Sequence, residues 1–393
     1  YYTVTLSGQA VDFSLSGGVY TAIDGYGQLT KSGSIWTFTA PDGTVATFDQ
    51  TLAAGMTGMF SQGPVVTIVK PDGERWDYTY VYNASPAKRR LTSVTTSRGY
   101  QLFFRYASVA DTSPAQVTAL NNAVDACAPT ASACTFSRTW PSLSLGAGFV
   151  TDSLGRTLRL IGLPNVTGIA RPTKPTGQND TLVYDSQNDS YGRRRVKSFS
   201  DGVGTWTYDY GPVPVTSAPY TTTTTVTDPL GHATSYLFSW TDDQGLGRVK
   251  VNLFSITNAL NQTTYMNQDA GGLQSVFFPA GDGFQYLRNN QGNPVQTIRY
   301  STVPGVTTST IATYGDCSTP IRCRRPTAIT DARGNTTDLT YNAQGQVLTT
   351  TGPAPTPGAV RPQTRTTYAA RNAWFKQGGS SSITQAATSI SVP

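Results

Sequence analysis

One histidine and four cysteines are all that this 393-residue chain offers for imidazole or thiol chemistry, beside 23 carboxylates. A Ser-His-Asp or Cys-His arrangement would have to run through His232, because such nucleophiles need a bonded base. His232 lies in "DPLGHAT", at a position held by Arg156, Gln262 and Asn335 in similar stretches, so it reads as a turn residue. Asp242 and Asp243 are adjacent, and a strand would point them to opposite faces. A glycosidase needs two carboxylates across a cleft, which chain spacing neither gives nor forbids, but most aspartates here fall at repeated turns. There is no P-loop, no GxGxxG opening a helix and no HExxH. The sequence therefore offers no catalytic, cofactor-binding or metal-binding residue, and the expectation is a protein that is not an enzyme.

The cysteines fall into two local pairs, Cys127 with Cys134 and Cys317 with Cys323. Zinc ribbons use other spacings, and the lone histidine is remote from both pairs. Local disulfides are the better reading, with an oxidising, extracytoplasmic compartment as their consequence.

The elements that would position such groups are strands. The chain has 38 Gly, 24 Pro and 21 Tyr with 13% charged residues, and Thr recurs nearly everywhere. Turn formers mixed with β-branched and aromatic residues specify many short strands. The net charge of +6 is spread out except at Lys88-Arg89-Arg90, Arg193-Arg194-Arg195 and Arg322 with Arg324-Arg325, which are expected to be solvated loop or strand-edge residues rather than a nucleic-acid groove. No apolar run is long enough for a membrane span. Both ends read as cut, as in a mature piece or ordered fragment of a longer exported protein. The sequons at Asn83, Asn165, Asn179, Asn188, Asn261 and Asn335 are given no role.

A unit recurs. "VTDSLGRTLRLIGL", "VTDPLGHATSYLFSW", "ITNALNQTTYMNQDAGGLQSV" and "ITDARGNTTDLTYNAQGQVLTT" share a β-branched residue and Thr, then Asp or Asn, a turn residue three positions on, and a polar lead into a strand. The corresponding residues are Asp152 and Gly155, Asp228 and Gly231, Asn258 and Asn261, and Asp331 and Gly334 with Asn335. Turn positions 261, 272, 283 and 292 are spaced by 11, 11 and 9 residues, the length of one strand plus one turn. Asp or Asn caps backbone amides two residues on, and Gly or Asn accepts the positive φ of the turn. The spacing predicts an all-β chain of repeated antiparallel hairpins, with Leu339 and Tyr341 on one face. "SPAQVTALNNAVDACA" is expected to hold the only helix, a turn or two long.

The pattern D-x-x-G-N/R-x-T followed by Y-N/D-x-x-G-x-L/V resembles the RHS/YD-repeat family of bacterial Rhs proteins, the C component of Tc insecticidal toxins and the teneurins. Asp331, Gly334, Asn335, Thr336, Tyr341, Asn342 and Gly345 carry it best. The resemblance implies a continuous, spirally wound sheet that closes into a hollow shell around a cargo. In two copies the Tyr position holds Gln268 or Phe238, and neither the family's self-cleaving core nor a toxin segment is visible.

The expected organisation is an N-terminal sheet of degenerate repeats over 1–106, a loop insertion with the first cysteine pair over 107–141, a YD-repeat sheet over 142–352, and an irregular tail over 353–393. The expected function is a secreted or cell-surface structural segment whose partner is a polypeptide cargo or the remainder of the same chain, with self-assembly and a glycan as further partners. The alternative is an adhesin or carbohydrate-binding protein using Trp76, Trp206, Trp240 and Trp374.

Overall fold

The computed structural model describes residues 2–6, 8–24, 27–53, 63–84, 87–188, 194–211, 221–242, 249–269, 272–315, 320–376 and 383–392. It is a β-sheet protein of antiparallel hairpins, as the sequence predicts. From Gln28–Ser32 to Gln363–Arg365, every strand pairs with the one before and the one after it in the chain, so a single sheet grows by adding consecutive hairpins. A three-stranded sheet, Tyr2–Leu6, Gln9–Ser16 and Val19–Asp24, precedes it, and the hairpin Ala369–Lys376 with Ile383–Val392 follows.

Register separates the two faces, because residues directly opposite on paired strands share a face. One face carries Leu29, Phe38, Ala46, Ile68 and Trp76 in one line of partners. Further along it carries Val150 beside Leu158, Tyr236 beside Ile256, and Met266, Val276 and Phe284. The other face carries hydroxyl and amide pairs: Thr151 with Thr157, Asn267 with Ser275, Thr330 with Thr336 and Thr340 with Thr349, which bond side chain to side chain at 2.6–3.1 Å. Alternation with a period of two thus yields an apolar face and a polar one.

The N-terminal sheet covers the start of the apolar face, where Val4 and Phe13 pack on Leu29 and Phe38. A second cluster forms on the polar face, where the 122–141 loop folds over Phe103 and Leu120 and is closed by the Cys127–Cys134 disulfide.

Two expectations fail. The stretch expected to hold a helix instead contributes the strand Gln116–Asn121, paired with Tyr100–Arg105 on one side and Ser142–Gly146 on the other. Pairing on both edges outweighs the weak helix preference of its alanines. The helical turns among the described residues are Gln50–Ala53 and Pro320–Cys323. The 107–141 stretch is accordingly a strand of the main sheet flanked by loops rather than an excursion throughout.

Asn261 is the one non-glycine residue with positive φ among the described residues, at 58°, in the place filled by Gly155, Gly231 and Gly334 in the other copies. Left-handed backbone costs an L-residue roughly 1–2 kcal/mol and a β-branched one most, whereas Asn tolerates it. Asn261→Val is expected to lower stability by about that amount and Asn261→Gly to leave it nearly unchanged. Urea midpoints at unchanged slope check this, and equal midpoints for Val and Gly would show that the turn relaxes.

Candidate functional site

The candidate functional element is the repeated wall unit itself, which consists of a capped turn and a latched bulge. At Asp152 the carboxylate Oδ1 accepts the Leu154 and Arg156 amides at 2.9 Å each, Oδ2 accepts Arg156 Nε, and the Gly155 amide donates to the Asp152 carbonyl. Asp228, Asn258 and Asp331 repeat the arrangement residue for residue, with His232, Gln262 and Asn335 in the place of Arg156. Asn342 does so with Gly345 and Gln346. Such caps satisfy amides that a three-residue hairpin loop cannot pair in the ladder.

The caps also fix charge. The Arg156 side chain holds the Asp152 carboxyl below the usual range, the His232 amide does most at Asp228, and the Asn335 side chain most at Asp331. His232, with a side chain 61% exposed, turns its Nδ1 to Asp228 of its own turn at 3.0 Å.

The second device was not legible in the sequence. At six β-bulges among the described residues, the carbonyl just before the unpaired residue accepts a hydrogen bond from a side chain on the following strand or, for Tyr106 and Tyr368, just past its end. Tyr106 Oη donates to Leu91 O, Tyr210 to Val196 O, Tyr314 to Pro294 O, Tyr341 to Pro326 O and Tyr368 to Val347 O, at 2.8–3.3 Å. At the sixth, Arg288 Nη2 donates to Leu273 O at 3.1 Å. This is the bulge opposite Gln268, where the sequence lacks the repeat's tyrosine.

The latches interlock. Arg288, Tyr314 and Tyr341 each lie opposite the residue whose carbonyl the next latch occupies. A bulge leaves a carbonyl outside the ladder, and a phenol supplies a donor without a charge. Burial pushes the Tyr106, Tyr210, Tyr314 and Tyr341 hydroxyls upward in pKa, so they stay protonated donors at neutral pH.

Arg194 and Arg322 are exposed, as expected of the basic clusters, but one residue from each of the first two clusters joins the latch device. Arg90 and Arg195 immediately precede acceptors Leu91 and Val196, and their guanidinium groups sit 5.1 Å and 5.2 Å from the ring centroids of Tyr106 and Tyr210. Both are half-buried, because antiparallel pairing brings them over the latch rings. Arg193 lies outside the described residues.

Tyr341→Phe removes one donor and strands a carbonyl, so it is expected to cost about 1 kcal/mol. Thermal unfolding of Tyr341→Phe, Tyr314→Phe and the double variant checks the interlock. A double loss smaller than the sum is expected for latches that reinforce each other, because each single variant already forfeits their shared coupling, and strict additivity would show independent latches.

The remaining sequence candidates scatter. Cys323 is disulfide-bonded, and Cys317 lies outside the described residues. Trp76 donates to Glu74 at 2.9 Å and Trp206 packs against Phe199, both half-buried rather than presented to a sugar. The Trp240 and Trp374 side chains lie outside the described residues, as do those of Asp242 and Asp243. No helix among the described residues is long and apolar enough to cross a membrane.

Residues 325–356 match the RHS Repeat family model. No curated protein matches the chain. Among solved structures, it is similar to a chain of the crystal structure of TcdB2-TccC3-Cdc42 at 9% identity and a TM-score of 0.40, covering 97% of this chain and 22% of that one. It is also similar to a chain of TcdB2-TccC3 without hypervariable C-terminal region, at 13% identity and a TM-score of 0.37, covering 83% and 19%. The chain spans about a fifth of the length of these structures. The matched segment begins at Arg325, beside the Tyr341 acceptor Pro326, and takes in the Asp331 and Asn342 turns and the Tyr341 latch, so what resembles an RHS repeat is one full copy of the wall unit.

Proposed function

We propose that this chain is a non-catalytic wall segment of an exported RHS/YD-repeat protein, part of a β-shell that encloses or delivers a polypeptide cargo such as a C-terminal toxin. The observation that carries the reading is an excess of surface. The molecule exposes 23350 Å². A compact protein of its 42.0 kDa mass exposes about 15,000 Å². Beyond the N-terminal sheet, no second layer covers the apolar face among the described residues, and Leu102, Leu143, Leu158 and Leu273 are exposed there. A single-layer wall of this kind gains stability when its apolar face meets other polypeptide.

The Cys127–Cys134 disulfide supports export, and His232 bonded within its own exposed turn supports a structural role. Capped turns and latched bulges keep the ladder closed without needing a deep core.

Fluorescence anisotropy of labelled, reduced and carboxymethylated α-lactalbumin, a permanently unfolded polypeptide, tests the reading. Micromolar association that weakens in Leu158→Lys is expected. No association by a folded chain, or association with glycans alone, would replace the shell with the adhesin.

A further inference from the structure

The 122–141 loop and the sheet beneath it form an open cavity of about 290 Å³ on the polar face. Its floor comes from paired strands, where Phe103 lies opposite Thr118 and Arg105 opposite Gln116. Arg138 and Trp140 of the loop complete the wall, beside Cys134 of the disulfide that ties the loop down. Asp125 fixes the aromatic side of that wall, because its Oδ2 accepts Trp140 Nε1 at 2.7 Å together with the amide and hydroxyl of Ser137.

The lining is rich in donors without partners. Thr118 is 6% exposed and lines the cavity, yet its hydroxyl makes no hydrogen bond among the described residues. The Gln116 side chain accepts Arg105 Nε at 3.2 Å through its oxygen, which leaves the amide group of Gln116 and the outer nitrogens of Arg105 available to donate. Arg138 lies over the Trp140 ring at 5.5 Å. Among the described residues neither arginine pairs with a carboxylate, and no residue lining the cavity is acidic. Guanidinium groups without a counter-ion make the cleft positive, and their forked donors match a carboxylate. A nearly buried hydroxyl without a partner is costly, so a ligand oxygen reaching Thr118 is favoured.

We infer that this cavity binds a single carboxylated sugar ring of the hexuronic acid class. The carboxylate answers the two arginines, ring hydroxyls answer Thr118 and the Gln116 amide, and the C–H face of the ring packs on the partly exposed Trp140. An aromatic acid would satisfy the cations but strand Thr118 and Gln116, and a neutral hexose would leave both charges uncompensated. The volume lies at the small end of the roughly 300–1,000 Å³ typical of ligand sites, which suits one ring rather than a chain segment. The site does not depend on the wall reading and lies across the sheet from the apolar face that Leu158→Lys probes, so the two readings fail separately.

Saturation-transfer difference NMR titrations of the 393-residue chain with sodium D-glucuronate test it, with D-glucose, benzoate and acetate as the competing chemistries at fixed ionic strength. Saturable glucuronate binding with a Kd on the order of 1 mM is expected, about tenfold or more tighter than each of the other three. Arg138→Gln and Thr118→Val should each weaken it by about tenfold, whereas Arg322→Gln, an exposed charge outside the cavity, should leave it unchanged. Arg138 is exposed, so its variant keeps the test decisive even where Thr118→Val does not fold, and urea midpoints identify the folded variants. No saturable glucuronate signal, equal binding of glucose, benzoate or acetate, or an affinity indifferent to Arg138→Gln would each overturn the inference.

Discussion

Replacing Asp180 with alanine is expected to lower the unfolding free energy by about 2–3 kcal/mol, the largest loss for one side chain in this protein. Asp180 is opposite Ile169, on the apolar face, and its side chain is fully covered. What covers it are two cations from the 171–179 loop, Arg171 on Oδ2 and Lys174 on Oδ1, and Lys174 also reaches the Asp201 carbonyl. The carboxylate is thus shielded by its partners rather than sunk in a deep core, which places the cost below the 3–5 kcal/mol range for breaking buried pairs. Without it, two cations lie over an apolar sheet with nothing to neutralise them, and the Pro-rich loop loses its anchor. Chemical denaturation of Asp180→Ala, Lys174→Met and the double variant measures the coupling; a change under about 0.5 kcal/mol would show the triad to be worth no more than a surface pair.

The same carboxylate predicts a pH dependence. Hydrogen bonding from Lys174, then from Arg171, holds its pKa below the usual carboxylate range. A depressed folded pKa gives stability that is complete above the unfolded value, near 3.9, and lost as pH falls through the folded value. Asp152, Asp201, Asp228 and Asp331 are shifted the same way and add the same sign. Stability should therefore stay level with respect to these groups from pH 5 to 8 and decline in acid below about pH 4, more shallowly in Asp180→Ala.

Removing the Cys127–Cys134 disulfide as Cys127→Ala/Cys134→Ala is expected to cost about 2.5 kcal/mol, the loop-closure entropy of so short a ring. The sequence separation is 7 residues. The loss should be local. Cys127 exchanges two backbone hydrogen bonds with the buried Gln101 side chain, and its loop roofs Phe103 and Leu120. Hydrogen exchange should accelerate across 122–141 and in Tyr100–Arg105, while the turns at 258–262 and 331–335 keep their protection. Unchanged exchange in 122–141 would show that packing and Gln101 hold the loop without the covalent bond.

The turn half of the wall unit could be read from the chain because it is local. Asp152, Asp228, Asn258 and Asp331 bond to amides two and four residues away, so spacing alone exposes the cap, and the positive φ at its end selects Gly or Asn. Alternation likewise divided the strands into apolar and polar faces. The latches were not legible, since Tyr341 acts 15 residues back, on a carbonyl freed by a bulge whose position depends on pairing. Nor was the strand Gln116–Asn121, whose local preference is ambiguous until neighbours occupy both its edges.

The sequence by itself determined an all-β repeat with capped turns and local disulfides, because those features act over fewer than a dozen residues. Only the tertiary structure decided the rest. It showed that Arg90 and Arg195 lie over latch tyrosines, that Asp180 is sealed by Arg171 and Lys174 on an apolar face, and that leucine and valine tips gather along one edge. Each of these requires knowing which strands adjoin and in what register, and that information belongs to the sheet rather than to any one repeat.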